Sequence, residues 1–149
     1  MGALIIPTSG NVFVDTQVVI YTVEANQPYW PLLQPLWQAS RSGRLTIIGS
    51  ELMIMETLVV PLRNNDATLV AAYDQLFLTN EIRLLPIDRF VLLQAAHLRA
   101  TIPGLRTPDA LHAAPARLSP CTMFLTNDRG FRRVPGLPLA VLDDILAAP

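Results

Sequence analysis

Short, mostly apolar segments recur along this chain, and each is followed by a longer stretch with helical spacing. Residues 11–14 (N-V-F-V), 45–48 (L-T-I-I), 82–85 (I-R-L-L), 122–125 (T-M-F-L) and 139–142 (L-A-V-L) have no polar face. Strands that are apolar on both sides must be covered on both sides, and connections of a dozen or more residues suit parallel pairing. The chain therefore reads as α/β: a three-layer α/β/α sandwich with a mostly parallel central sheet, Rossmann-like in build. In such sheets a ligand site lies beyond the carboxyl ends of the strands, where the strand order reverses.

The helices carry their own punctuation. Residues 16–24 open with β-branched side chains, so strand and helix propensities compete there. Trp30, Leu33, Leu36 and Trp37 share a helical face within 28–42, and Gly43 stands where a helix end takes a left-handed residue. Ser50 is a good cap for a helix through Leu58 that Pro61 should interrupt. A helix is expected over 66–77, and Asp88 caps another whose Val91, Leu92, Ala95 and Leu98 form one stripe, ended by Pro103 and Gly104. Thr107-Pro108-Asp109 reads as cap, first helical proline and first-turn acid. Pro115 should kink that helix and free the Leu111 carbonyl.

Composition narrows the chemistry. With 51% hydrophobic and 15% charged residues over 149 positions, disorder and fibrous folds are excluded, and 1–149 is expected to be one domain. The 11 basic residues are all arginine. Lysine-dependent chemistry (P-loop nucleotide binding, Schiff bases, receiver-type phosphotransfer) is thereby excluded. A net charge of -1 argues against a basic coat for nucleic acid, so affinity for a polyanion must come from local arginines or a metal. One cysteine, Cys121, and two histidines cannot make a zinc-finger ligand set, and a reducing, cytoplasmic setting is expected. No run approaches the roughly 18 apolar residues of a spanning helix, so no membrane association is expected.

Among the 12 acids, Asp15 follows the first strand and Asp128 lies two residues past Thr126, both on the expected carboxyl edge of the sheet. Glu56 and Asp109 sit early in helices that can point at the same edge. Acids cap helices and face solvent in any α/β protein, so this placement alone leaves an ordinary structural role open. If the four converge, carboxylates a few ångströms apart repel by up to roughly 4 kcal/mol per pair at an effective dielectric of 20, and a cation between them is the natural relief. Oxygen-only ligands favour Mg²⁺ or Mn²⁺.

Four segments in register carry a resemblance: F-V-D-T-Q-V-V-I-Y around Asp15, I-G-S-E-L-M-I-M-E around Glu56, R-T-P-D-A-L-H-A-A around Asp109, and F-L-T-N-D-R-G-F around Asp128. In order, spacing and context the chain resembles the PIN domains, and more narrowly the VapC-type toxins of bacterial toxin-antitoxin pairs. The resemblance implies a PIN-like fold and a Mg²⁺- or Mn²⁺-dependent endoribonuclease whose metal-binding acids match Asp15, Glu56, Asp109 and Asp128. One of the four carboxylates would serve as general base. It further implies that Thr126, with Thr16 and Asn127, supports the site, and that the partners are an RNA substrate, a small antitoxin and a second copy in a homodimer. Two competing readings are a catalytically idle PIN-like domain that binds RNA or a protein, and a PIN nuclease acting in RNA maturation or on DNA. Gln17 stands where the family usually has asparagine and Gly130 where it often has aspartate. An aspartate-nucleophile phosphatase would need an acid at position 17 and a lysine, and has neither.

The remaining candidates have plain alternatives. Glu51 precedes Glu56 by five residues, about 140° around a helix, and suits a first-turn dipole partner. Arg129, Arg132 and Arg133 offer guanidinium groups to a phosphate backbone, or simply form a charged surface. His97 and His112 are expected to pack or to make surface hydrogen bonds, Trp30 and Trp37 to fill a core or dimer contact, and Cys121 to be a small apolar residue entering a strand.

Overall fold

In the computed structural model, which describes residues 2–149, the apolar segments form β1 (Asn11–Val14), β2 (Thr46–Ser50), β3 (Arg83–Leu85), β4 (Met123–Thr126) and β5 (Leu139–Val141). The connections are α1 (Thr16–Val23) and α2 (Tyr29–Arg41) after β1, and α3 (Leu52–Arg63) and α4 (Ala67–Leu78) after β2. α5 (Arg89–Thr101) and α6 (Thr107–Leu118) follow β3, a 3-10 turn (Arg129–Arg133) follows β4, and α7 (Leu142–Ala147) follows β5. The strand order is β3-β2-β1-β4-β5, and every pairing is parallel. The chain steps outward from β1 through β2 to β3 and then returns to the other side of β1 with β4. That reversal opens a crevice between the carboxyl ends of β1 and β4.

Alternating strand residues feed two cores. Val12, Val14, Ile47 and Leu125 pack toward Leu33, Leu36 and Trp37 of α2, while Phe13, Ile48 and Phe124 pack toward Val91, Leu98, Ala110 and Ala113 of α5 and α6. Phe13 and Phe124 are register partners whose rings stack at 4.9 Å. A Cβ on Gly49 would stand 2.3 Å from Met53 Cε and 3.3 Å from Ile82 Cδ1, so glycine leaves room for these buried side chains against β2. No helix among the described residues is long and apolar enough to cross a membrane.

Asp66 and Asp88 cap their helices, accepting from Leu69 N and Val91 N at 3.0 Å each, and Gly43 takes φ +79° just past α2. Several expectations need correction. Pro61 does not stop α3 after Leu58: the helix runs to Arg63 with the proline ring buried, and burial offsets the lost hydrogen bond. Pro115 lies buried within α6, which continues past it to Leu118. Thr107 is not a cap. It is the first helical residue, and its hydroxyl accepts instead from Arg99 Nη1 at 2.9 Å. Glu51 sits at the cap position of α3, where its carboxylate accepts from Ile87 N at 3.3 Å. Trp37 is core, with its indole N–H on Thr22 Oγ1 at 2.9 Å, and Trp30 packs against the same cluster.

Candidate functional site

Asp15 leaves β1 at the switch point and turns back to cap α1, accepting from Val18 N at 3.3 Å on Oδ1. Its Oδ2 accepts from the Thr126 hydroxyl, whose oxygen in turn accepts from Asp128 N at 2.9 Å. One hydroxyl at the end of β4 thus bonds both aspartates. Asp15 is only 6% exposed. Burial pushes its carboxyl up to about 6 and Asp128 adds to this, against the opposing pull of the Thr126 hydroxyl, the His112 charge and Val18 N–H.

Glu56 approaches from α3. Thr16 Oγ1 donates to its Oε1 at 2.7 Å, and His112 Nε2 stands 2.6 Å from the same oxygen and 3.2 Å from the Thr16 hydroxyl. Half-burial raises the Glu56 carboxyl, yet the His112 and Thr16 hydrogen bonds and the charges of His112 and Arg106 outweigh it and hold it below the usual carboxylate range. An ionised carboxylate only accepts, so Nε2 is the donor. No hydrogen bond among the described residues falls on Oε2.

Asp128 accepts from Gly130 N at 2.7 Å on Oδ1. Asn127 also lines the cleft: its amide donates to the Tyr21 hydroxyl at 3.1 Å and accepts from Asp143 N at 2.8 Å, tying α7 to the site. Asp109 spends both oxygens on Arg106, with Nε at 3.1 Å and Nη2 at 3.3 Å.

All four acids line one open cleft of about 500 Å³, together with Thr16, Tyr21, Arg106 and His112. Among the described residues no three acid, imidazole or thiol side chains stand close enough to hold one ion together. The donor chemistry nevertheless fits a hard divalent cation. The candidate donors are carboxylates, one of them buried and pushed toward protonation, and Asp109 is the member engaged by a competing cation.

The arginines after Asp128 stand apart from this cleft. Arg129 pairs with Asp144 at 2.9 Å and Arg132 with the same carboxylate, while Arg133 reaches the Gly130 and Pro103 carbonyls at 3.4 Å each. Arg106 is the arginine that lines the cleft, and its spacing from Asp109, three residues into a helix start, was a readable signal. His112 is buried with Nε2 on Glu56 Oε1, while His97 is exposed on α5.

A parallel three-layer sheet with an acidic cleft at its switch point defines a Rossmann-like domain with a carboxylate-rich site. The model of the PIN domain matches residues 12–137, and the chain belongs to the PIN domain family. No curated protein sequence matches it. Among solved structures it is similar in fold to VapBC2 from Rickettsia felis bound to a promoter DNA fragment (16% identity, 88% of this chain and 98% of that one, TM-score 0.67). It is also similar to the sarcin-ricin loop cleaving toxin VapC20 of Mycobacterium tuberculosis (18% identity, 85% and 97% coverage, TM-score 0.67). A third is a toxin-antitoxin complex from Klebsiella pneumoniae (16% identity, 87% and 96% coverage, TM-score 0.64).

Proposed function

We propose that this PIN domain is a Mg²⁺- or Mn²⁺-dependent endoribonuclease that hydrolyses RNA phosphodiester bonds in the cytoplasm as the toxin of a toxin-antitoxin pair. The observation that carries the reading is the convergence of Asp15, Glu56, Asp109 and Asp128 on one cleft at the β1/β4 switch point. The fold similarity to VapC toxins supports it. A small antitoxin covering the cleft and a homodimer belong to the same proposal, and Met55, Val59 and Leu62 on the outer side of α3 offer apolar surface for protein contacts.

The chain's residues divide the work. Asp15, Glu56, Asp109 and Asp128 would supply the ligands of the ion, which requires them to draw closer together than they stand here. When bound, a divalent ion supplies Lewis acidity and the positive charge that a chain of net charge -1 lacks at a phosphodiester. The Thr126 hydroxyl and Val18 N–H fix both oxygens of Asp15, and Gly130 N–H fixes one of Asp128. His112 and Thr16 both bond Oε1 of Glu56, so Oε2 is the oxygen with no hydrogen bond among the described residues. Preorganised donors of this kind spare the site reorganisation during the reaction.

The Arg106 grip on Asp109 favours a second reading, a catalytically idle domain that binds RNA or a protein. One assay separates them. Purified protein incubated with RNA and Mn²⁺ should cleave it, EDTA should stop cleavage, and Asp15→Asn should abolish it. An Asp15→Asn protein of full activity rejects the assignment, and a wild type inert with both metals leaves the idle reading.

A further inference from the structure

Asp109 is the acid of the cleft whose two oxygens are both taken by a guanidinium, in the parallel two-point geometry that suits a phosphate equally well. We propose that Arg106 is a substrate-binding residue that exchanges partners: it holds Asp109 while the cleft is unloaded and moves onto a phosphate of the RNA strand once Asp109 is engaged by the ion. This rests on the ribonuclease reading of the same cleft.

Three observations support the exchange. The Arg106 side chain is 71% exposed although Asp109 is only 14% exposed, so the guanidinium approaches from solvent and can leave without disturbing the core. With the guanidinium in solvent, side-chain entropy and hydration of the arginine oppose the pair. Arg106 is also the one arginine among the described residues that line the cleft, where it faces Glu56 and Asp128 as well as Asp109. The neighbouring arginines are already committed: Arg99 to the Leu105 carbonyl and Thr107, Arg129 and Arg132 to Asp144, and Arg133 to backbone carbonyls. Finally, Arg106 immediately precedes α6 in extended backbone (φ -80°, ψ 159°), beside the buried anchor Leu105, so its main chain is held while its side chain swings. A residue fixed at its root and loose at its tip suits a group with two partners.

The test compares wild type, Arg106→Gln and Arg106→Lys by Mn²⁺ titration calorimetry without RNA and by cleavage kinetics on a short RNA. Arg106→Gln should bind Mn²⁺ several-fold more tightly, because Asp109 is released. Its KM for RNA should rise on the order of tenfold, as a charge-assisted pair to phosphate is lost. The KM should rise by more than kcat falls, and the salt dependence of RNA binding should lose about one phosphate contact. Arg106→Lys, which keeps the charge without the fork, should restore KM only in part. An active wild type whose Mn²⁺ affinity and KM are both unchanged by Arg106→Gln overturns the exchange and leaves the nuclease reading intact. Tighter Mn²⁺ binding with unchanged KM also overturns it, making Arg106 a charge partner of Asp109 and nothing more. A wild type that neither binds Mn²⁺ nor cuts RNA removes both readings together.

Discussion

His112 Nε2 lies 2.6 Å from Glu56 Oε1, joining α6 to α3 across the acidic cleft. The ring is buried, and its Nδ1 has no hydrogen-bond partner. Its polar contacts are therefore Glu56 and Thr16, which makes it a positioning residue for the carboxylate rather than a piece of general packing. Replacing His112 with alanine should lower Mn²⁺ affinity and RNA cleavage by about 10- to 100-fold, the usual range for residues that orient a ligand. His112→Gln, whose amide can still donate toward Oε1, should recover part of both. Calorimetry with Mn²⁺ and a melting curve for each variant check this. Equal losses in the two variants, matched by equal losses of melting temperature, indicate packing alone.

Asp15 makes the metal-free protein pH-sensitive in a defined direction. Its carboxyl is raised from 3.8 to about 6 in the fold, chiefly by burial, so between these values the folded state holds more proton than the unfolded one. Stability then falls as pH rises through that window, by on the order of 3 kcal/mol in all. Asp15→Asn removes this loss but has only one accepting oxygen for the two donors Thr126 and Val18, at a cost of about 1 kcal/mol. Urea unfolding in EDTA should find the variant about 2 kcal/mol more stable than wild type at pH 7 and no more stable near pH 4. A difference between variant and wild type that is the same at both pH values contradicts the burial argument, whereas the opposite pH dependence of Glu56 is common to both proteins and cancels.

The Asp88 cap was legible because it depends on neighbours along the chain, and the parallel sheet because short apolar strands alternate with helical stretches; the caps made by Asp15 and Asp66 were not assigned from the sequence. Pro61 misled because local propensity forbids what burial of the ring permits. The arginines after Asp128 were readable as basic but not as occupied, since Asp144 reaches Arg129 from 15 residues away. His112 and Glu56 are separated by 56 residues and meet only because α3 and α6 pack together, a contact that periodicity does not encode.

Mn²⁺ should raise the melting temperature of the wild type by mass action. At a hundred times its dissociation constant an ion stabilises by about 2.7 kcal/mol, roughly 5–10 °C for a domain of this size. Asp15→Asn should show less than half that shift, because one donor becomes neutral. Differential scanning fluorimetry over a Mn²⁺ series gives the comparison, and equal shifts in the two proteins remove Asp15 from the ion site.

Gly130 tunes Asp128 through space as well as through its N–H. A Cβ at this position would stand 2.9 Å from Asp128 Oδ1 and 3.3 Å from Arg133 Nη2, inside ordinary contact distance of the carboxylate that Gly130 N holds at 2.7 Å. Gly130→Ala should therefore push Asp128 from its place while the Phe131 anchor below it stays in the core. The stability cost should be small, about 1 kcal/mol. The functional cost should be larger, on the order of tenfold in kcat/KM, since a shift well under 1 Å at a reacting group is enough. Cleavage kinetics beside a urea titration separate the two effects. Full activity in Gly130→Ala means that the Thr126–Asp128 contact alone sets the aspartate, whereas a loss of stability without loss of activity assigns Gly130 to the 3-10 turn and not to the cleft.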